Sequence, residues 1–277
     1  MAGSTSSQKI YAENYRFLQR HIYAETGIVL EEDKHYLFES RLVPIVRRLG
    51  LQTINDLCAL LKGPQPGNVG RQVVEAMTTN ETYFFRDPGQ YDAIRTDLLP
   101  RLIKERGDSK KMRFWSAAAS TGQEAYSLAM LLIQSGLVDW DIQILGTDIS
   151  SQVLERARSG KYLQVEVNRG LPAALLVKLF RRVDMDWQLS DAVRRMVTFE
   201  KIDLRQPMRS LGPFDLIFCR NVMIYFDSET KQKILQQLHG TLSRGGWLFL
   251  GGVETAFGLE RWFERQSVGN ATVYLAR

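Results

Sequence analysis

A short apolar run, Met112-Arg113-Phe114-Trp115, breaks into Ser116-Ala117-Ala118-Ala119-Ser120-Thr121-Gly122-Gln123-Glu124, and a helical pattern follows in which Ala125, Leu128, Ala129 and Leu132 share one face. This reads as a strand, a tight turn and a helix. Small side chains in such a turn let a ligand approach the backbone N–H groups at the helix N-terminus. Two acidic residues add to it: Glu124 in the first helical turn, and Asp148 at the end of the next apolar run, 142–147. A carboxylate at the end of the second strand is placed to accept hydrogen bonds from ribose hydroxyls.

Three glycines would be wanted for a dinucleotide fingerprint, and only Gly122 is present, so pyrophosphate binding is disfavoured. The pattern suits an adenosine without phosphates, S-adenosylmethionine above all. It is equally what an ordinary strand-to-helix connection looks like.

The 277 residues are enough for one large domain or two modest ones, and 44% hydrophobic with 24% charged residues is ordinary for a globular protein. No apolar run reaches the roughly 18 residues of a membrane span. Residues 1–9 lack the apolar centre of a signal peptide, so a cytoplasmic protein is expected. Two cysteines, Cys58 and Cys219, and three histidines fall in no ligand spacing, so no metal is expected. Cys219 closes the apolar run Leu216-Ile217-Phe218 and reads as a buried strand residue rather than a nucleophile. The net charge of +5 suits an acidic partner without naming one.

After a stretch expected to be disordered, 1–13, residues 14–78 read as a helical domain. Tyr15, Leu18 and Ile22 mark the first helix, stopped at Gly27; Phe38, Leu42, Ile45, Val46 and Leu49 mark the second, ending at Gly50. Pro44 lies inside that second pattern and is expected to kink or split it. Lys34, Arg41 and Arg48 are seven apart and align on one side, with Arg47 beside them. A solvated face and a docking surface for an acidic partner are both consistent with this stripe. Residues 79–90, with Asn80-Glu81-Thr82-Tyr83-Phe84-Phe85-Arg86, combine polar groups with three aromatics ahead of a helix expected over 90–105. They read as the wall of a ligand site or as a linker.

From residue 91 to 277 the chain reads as one α/β domain, with strands and helices alternating from Met112 onward. Residues 162–196 interrupt the alternation and read as an inserted β-subdomain, with a hairpin turn at Val183-Asp184-Met185-Asp186. Strands follow at 197–204, 214–221, 247–250 and 271–276, with a helix over 228–242 stopping at Gly245. Asp148, Asp203 and Arg220-Asn221 stand at carboxyl ends of strands, where open α/β sheets bind ligands.

With Asn80–Arg86, Trp115–Glu124, Gly146-Thr147-Asp148-Ile149-Ser150 and Cys219-Arg220-Asn221-Val222-Met223-Ile224-Tyr225-Phe226 in this order, the chain resembles the bacterial chemotaxis receptor methyltransferases over nearly its whole length. The resemblance implies a class I S-adenosylmethionine-dependent methyltransferase domain of Rossmann-like fold with an inserted β-subdomain, preceded by an all-α domain. It implies transfer of methyl from S-adenosylmethionine to glutamate side chains on the cytoplasmic domain of chemoreceptors, a protein-glutamate O-methyltransferase activity that leaves S-adenosylhomocysteine.

By the family's motifs, Asn80, Thr82, Arg86, Glu124, Asp148, Asp203, Leu204, Arg220 and Asn221 would contact the cofactor. Asp203 departs from the pattern, where asparagine is usual, but can still accept a hydrogen bond from the adenine amino group. Gln123 and Ala125 also depart, for a usual glutamate and proline. Arg86 and Tyr225 are the candidates for orienting the substrate carboxylate, with an aromatic wall as the other reading of Tyr225. Lys34, Arg41, Arg47 and Arg48 would dock acidic receptor helices.

Some family members grip a receptor C-terminal pentapeptide with a longer, glycine-containing hairpin loop, so independence of such a tether is expected. Recruitment to receptor arrays without membrane insertion is expected, and a monomer, since nothing in the sequence demands more. A nucleic-acid methyltransferase is the weaker reading, because Arg220-Asn221-Val222-Met223-Ile224-Tyr225 stands where an Asn-Pro-Pro-Tyr-like base-flipping motif would be needed. A cofactor-sensing protein without turnover is the other alternative.

Overall fold

Four helices account for the first part of the chain in a computed structural model that describes residues 10–64, 67–137, 139–256 and 258–277. They are α1 (Ala12–Thr26), α2 (His35–Arg48), α3 (Ile54–Lys62) and α4 (Val69–Met77). The disorder expected over 1–13 lies, for residues 1–9, outside the described residues. Ile10 is buried and α1 starts at Ala12, so order begins earlier than expected.

Tyr15, Leu18 and Ile22 turn inward onto Phe38, Leu42, Leu57, Val73 and Met77 to form one core. Gly27 ends α1 in the left-handed region at φ 74°, its N–H donating to the Tyr23 carbonyl. Thr53 and Asp56 cap α3 reciprocally: Thr53 Oγ1 accepts from Asp56 N at 3.0 Å and Asp56 Oδ2 from Thr53 N at 2.8 Å. Residues 225–227 group with these helices. The Tyr225 carbonyl accepts from Val29 N at 2.9 Å, and Tyr23 OH donates to Asp227 Oδ2 at 2.8 Å.

Pro44 does not split α2 into two elements: one helix runs from His35 to Arg48. Pro44 is on the exposed side, where the Ser40 carbonyl that loses its N–H partner can bond to water, while Phe38, Leu42, Ile45 and Val46 hold the opposite face in the core.

The basic residues of α2 are engaged locally. Lys34 lies 3.3 Å from Asp33 and 3.8 Å from Glu31, and Arg48 Nη2 donates to Gln72 Oε1 at 2.6 Å. Arg41 Nη1 donates to the carbonyls of Met77 at 2.7 Å and Thr78 at 3.1 Å, and its Nη2 to Thr79 Oγ1 at 2.8 Å. A guanidinium at the last carbonyls of α4 satisfies orphan acceptors and opposes the negative end of the helix dipole. Arg41→Ala is therefore expected to lower stability by about 1–2 kcal/mol, read as a lower denaturation midpoint in the absence of any partner. A midpoint equal to the parent's would contradict this capping role.

The second unit, residues 80–224 and 228–277, is α/β. It starts with α5 (Pro88–Ala93), a π-helical turn Ile94–Leu98 and α6 (Leu99–Arg106). The single helix expected over 90–105 is thus continuous in path but widened in the middle. The wide turn precedes Pro100, which cannot donate to the Thr96 carbonyl.

Then follow β1 (Lys111–Ala117), α7 (Gln123–Gln134), β2 (Asp141–Asp148), α8 (Ser151–Ser159), β3 (Lys161–Leu163), α9 (Gln164–Val167), α10 (Ala173–Leu179), β4 (Phe180–Val183), β5 (Asp186–Leu189), α11 (Asp191–Arg194) and β6 (Val197–Lys201). The chain ends with β7 (Phe214–Cys219), α12 (Ser228–Thr241), β8 (Leu242–Leu250), β9 (Phe263–Val268) and β10 (Ala271–Ala276).

Seven strands form a sheet in the order β6-β2-β1-β7-β8-β10-β9. The first five are mutually parallel, and β10 runs antiparallel to β8 and β9. Strand order reverses between β1 and β7, which makes the carboxyl ends of β1, β2 and β7 the crevice of the sheet. β7 is buried at every residue, as a central strand covered on both faces must be. Gly146 of β2 faces Phe199 of β6 so closely that an added Cβ would lie 2.5 Å from its ring, which fixes glycine there.

The insertion forms a separate antiparallel sheet, β3-β5-β4. Strand β9 was not expected, because only its ends, Phe263 and Val268, are buried and no alternation shows. β8 begins earlier than expected. Gly245, at φ 76°, lies in β8 rather than stopping α12, and the pairing with β7 shifts register between Phe214 and Leu216.

Candidate active site

The carboxyl ends of β1, β2 and β7 carry a connected set of polar groups. After β1, Ala118, Ser120 and Gly122 all take left-handed backbone, at φ 65°, 50° and 93°. Counting Phe85, Asp87 and Asn221, five of the seven described non-glycine residues with positive φ lie in the segments that meet here. Strained backbone concentrated in one place is the mark of a site whose surroundings over-determine it.

Ala119 N donates to the Thr147 carbonyl at 2.7 Å and joins the turn to β2. The carboxylate of Asp148 accepts from Ser120 N at 2.9 Å and from Ser150 N at 3.0 Å. Burial pushes this carboxyl above the ordinary aspartate value of 3.8, against the pull of the backbone N–H groups of Ser150, Ser120 and Ile149. Gly122 serves packing rather than ligand approach: its Cβ would stand 3.0 Å from Ala157 and 3.1 Å from Phe199 and Tyr126. The small residues that leave the turn open are Ala118, Ala119 and Ser120.

Glu124 lies at the start of α7 with its two oxygens divided between strands. Oε1 accepts from Ser116 Oγ at 2.7 Å, and Oε2 from Arg220 Nη1 at 3.1 Å. Arg220, whose side chain is 1% exposed, also donates from Nη2 to the Arg86 carbonyl and to Asp87 Oδ2, both at 2.6 Å. Burial would lower the guanidinium's pKa, but the Glu124 carboxylate, with Tyr91 and Asp87, raises it, and Arg220 is charged. Burial displaces Glu124 upward, opposed by Arg220 and Ser116. Arg220 Nε and Tyr91 OH are buried polar atoms with no partner.

The segment ahead of α5 belongs to this unit and closes one side of the site. Ser120 Oγ donates to the Asn80 carbonyl at 2.8 Å and Phe85 N to Ser127 Oγ at 2.9 Å. Phe84 is fully buried with edge contacts to Tyr162 at 5.0 Å and Phe180 at 5.7 Å. Asn80 and Thr82 line a polar cavity of about 300 Å³ together with Thr121 and Gln123. Arg86 is half-buried and reaches back to the Glu81 carbonyl at 3.2 Å.

Asp203 and Leu204 follow β6, whose end is joined to β2 by Ile202 N donating to the Asp148 carbonyl at 3.0 Å. The Asp203 carboxylate is held by Arg205. Its Oδ1 accepts from Arg205 N at 2.9 Å and Nε at 3.0 Å, and its Oδ2 from Arg205 Nη2 at 2.6 Å, a chelate that neutralises the carboxylate.

Asn80, Thr82, Arg86, Glu124, Asp148, Asp203, Leu204, Arg220 and Asn221 are therefore all in the α/β unit. Tyr225, Lys34, Arg41, Arg47 and Arg48 are in the helical one. Cys219 is buried in β7 and burial pushes its thiol well up, so it supplies no thiolate.

Sequence reasoning overlooked Glu254. Its buried carboxylate accepts from the backbone N–H of Asn221, Gly251 and Ile224. A lone acidic residue in a loop gives no periodic signal; the neighbouring Gly251-Gly252 was the only available hint.

Strand order, the left-handed turn after β1 and the acidic residues ending β2 and opening α7 define a class I S-adenosylmethionine-dependent methyltransferase fold. The chain belongs to the CheR methyltransferase family: residues 13–78 match its all-alpha domain and residues 80–271 its SAM binding domain. It is 38% identical to chemotaxis protein methyltransferase 1 of Pseudomonas aeruginosa, over 91% of this chain and 93% of that one. It is 35% identical to chemotaxis protein methyltransferase Cher2 of Pseudomonas putida, over 95% and 98%, and 36% identical to the chemotaxis protein methyltransferase of Vibrio parahaemolyticus, over 99% of each.

The cofactor is S-adenosylmethionine, and the residues present fit it. The turn carries no side chain larger than serine from Ala117 to Ser120, and the carboxylates of Asp148 and Glu124 accept from Ser120 N and Ser116 Oγ. No helix among the described residues is long and apolar enough to cross a membrane.

Proposed function

We propose that this protein transfers methyl from S-adenosylmethionine to glutamate side chains on the cytoplasmic domain of chemoreceptors, forming methyl esters in chemotaxis adaptation. The observation that carries the reading is the hydrogen-bonded network from Asn80 through Ser120 to Asp148, and from Ser116 through Glu124 to Arg220 and Asp87, in a chain whose relatives are chemotaxis protein methyltransferases. When bound, S-adenosylmethionine supplies the electrophilic methyl group.

The chain's residues have little proton chemistry to do. A substrate glutamate with a pKa of about 4.3 is already ionised at neutral pH, so no general base is required. They must bind, orient and exclude water. Asn80, Thr82, Arg86, Glu124, Asp148, Asp203, Leu204, Arg220 and Asn221 hold the cofactor, with Asp148 accepting from the ribose hydroxyls. Arg86 and Tyr225 orient the substrate carboxylate, the arginine by a charge-assisted hydrogen bond and the tyrosine by its hydroxyl.

Lys34 at the N-cap of α2, with Arg41, Arg47 and Arg48 in that helix, meets an acidic receptor helix. Arg41, held on the α4 carbonyls, contributes its field rather than a movable side chain. The enzyme acts as a cytoplasmic monomer recruited to receptor arrays, without a receptor pentapeptide tether, since the β4–β5 hairpin turns over Asp184 and Met185 alone.

The test is transfer of labelled methyl from S-adenosylmethionine to a panel of receptor cytoplasmic fragments. Base-labile label on receptor, lost in Arg86→Ala, is expected. Binding of S-adenosylhomocysteine with no labelled receptor would overturn the reading.

Because the Asp148 carboxyl is displaced upward, its charged acceptor is lost on acidification at a higher pH than for an ordinary aspartate. S-adenosylhomocysteine affinity is expected to fall as pH drops toward that range, and Asp148→Asn to flatten this part of the profile. Isothermal titration across pH checks it; an identical slope in the variant would exclude Asp148 as the titrating group.

A further inference from the structure

Glu254 lies in the loop after β8, 7% exposed, with no cation within ion-pair distance among the described residues. A buried carboxylate without a counter-ion is costly unless hydrogen bonds replace its water. Here they do. Oε2 accepts from Asn221 N and from Gly251 N, each at 2.7 Å, and Oε1 from Ile224 N at 3.3 Å, while Glu254 N donates back to the Gly251 carbonyl at 2.9 Å.

The loop that receives this carboxylate has no slack. Asn221 is left-handed at φ 56°. A Cβ on Gly251 would lie 2.6 Å from Asn221 Nδ2, 2.7 Å from Glu254 Oε2 and 2.9 Å from Asn221 N. The segment after β7 is therefore held from two sides by two carboxylates. Glu124 grips the Arg220 side chain, and Glu254 grips the backbone one and four residues further on.

We infer that Glu254 is a positioning residue for the cofactor site: its carboxylate sets the path of Asn221–Ile224 and so presents Asn221 to S-adenosylmethionine before the cofactor arrives. The inference rests on the reading above that Asn221 contacts the cofactor. Glutamine has the same shape but brings an NH2 group where one oxygen accepts, so it opposes donor to donor and removes the charge that strengthens all three bonds.

In Glu254→Gln the dissociation constant of S-adenosylhomocysteine and the KM for S-adenosylmethionine are both expected to rise about tenfold, with kcat at saturation changed by less than about threefold, since an interaction equal in ground and transition states affects binding alone. Hydrogen exchange at Asn221 and Ile224 accelerates in the same variant. An unchanged dissociation constant, or a fall in kcat at constant KM, overturns the inference.

Should that variant fail to fold, the parent protein decides: Asn221 and Ile224 amides must exchange slowly without ligand, and fast exchange quenched only by S-adenosylhomocysteine refutes a preset loop. If the parent does not bind S-adenosylhomocysteine, the assignment of the site fails instead.

Discussion

Arg220→Ala is expected to lower stability by about 3–5 kcal/mol, because it leaves the Glu124 carboxylate buried with no cation. The guanidinium is 1% exposed and ties two segments together through three groups: Glu124 on α7, and the Arg86 carbonyl and Asp87 carboxylate ahead of α5. Solvent screening, which reduces most surface ion pairs to a fraction of a kcal/mol, does not operate at such a site. Removal also frees Asp87, whose left-handed backbone at φ 59° needs support from its surroundings.

Glu124→Gln separates charge from shape. It keeps an acceptor for Ser116 and removes the buried negative charge, so in the Arg220→Ala background it should recover part of the loss. A double-mutant cycle by denaturant unfolding measures the coupling. A loss below about 1 kcal/mol in Arg220→Ala, or no recovery in the double variant, would mean that the pair contributes little beyond packing. Cofactor binding should disappear in Arg220→Ala at temperatures where the variant is still folded, because the segment carrying Arg86 is anchored through the same side chain.

What the sequence disclosed depended on periodicity. The strand, turn and helix at 111–134 were legible because apolar spacing changes from a short run to a helical face across the small and polar residues 118–122. The inserted sheet was legible as an interruption of the α/β alternation. Asp148 and Glu124 were legible because their positions at a strand end and a helix start follow from those elements.

Partners were not legible. The sevenfold spacing puts Arg41 and Arg48 in α2 and Lys34 at its N-cap, but spacing on one helix says nothing of the carbonyls that end α4, where Arg41 is bound. Asp203 shows the same limit two residues apart, since no periodicity announces that Arg205 chelates its carboxylate. Glu254 is the extreme case: besides Gly251 N, its carboxylate takes backbone N–H groups 30 and 33 residues away, which no side-chain pattern encodes. Pro44 does not divide its helix, because on the exposed side water can take the carbonyl that proline leaves without a partner.

The same reasoning gives the second large effect, at Gly170 in the inserted subdomain. Its backbone is left-handed at φ 78°, and a Cβ there would stand 2.0 Å from the Phe84 carbonyl oxygen and 3.1 Å from the Tyr83 ring. Backbone cannot yield as the end of a flexible side chain would. Gly170→Ala therefore adds a steric clash, about 1–3 kcal/mol, to the left-handed penalty of roughly 1–2 kcal/mol.

Gly50 provides the control. It too is left-handed, at φ 69°, but no atom lies within 4 Å of its would-be Cβ, so Gly50→Ala should show the backbone penalty alone. The difference between the two variants isolates the close approach of the insertion to the Asn80–Asp87 segment. Displacing Phe84 from between Tyr162 and Phe180 would carry Asn80 and Thr82 with it, so Gly170→Ala should also weaken S-adenosylhomocysteine binding while Gly50→Ala leaves it unchanged. Equal destabilisation in the two variants, with equal affinity, would mean that the contact at Gly170 relaxes freely and that the insertion does not brace the segment.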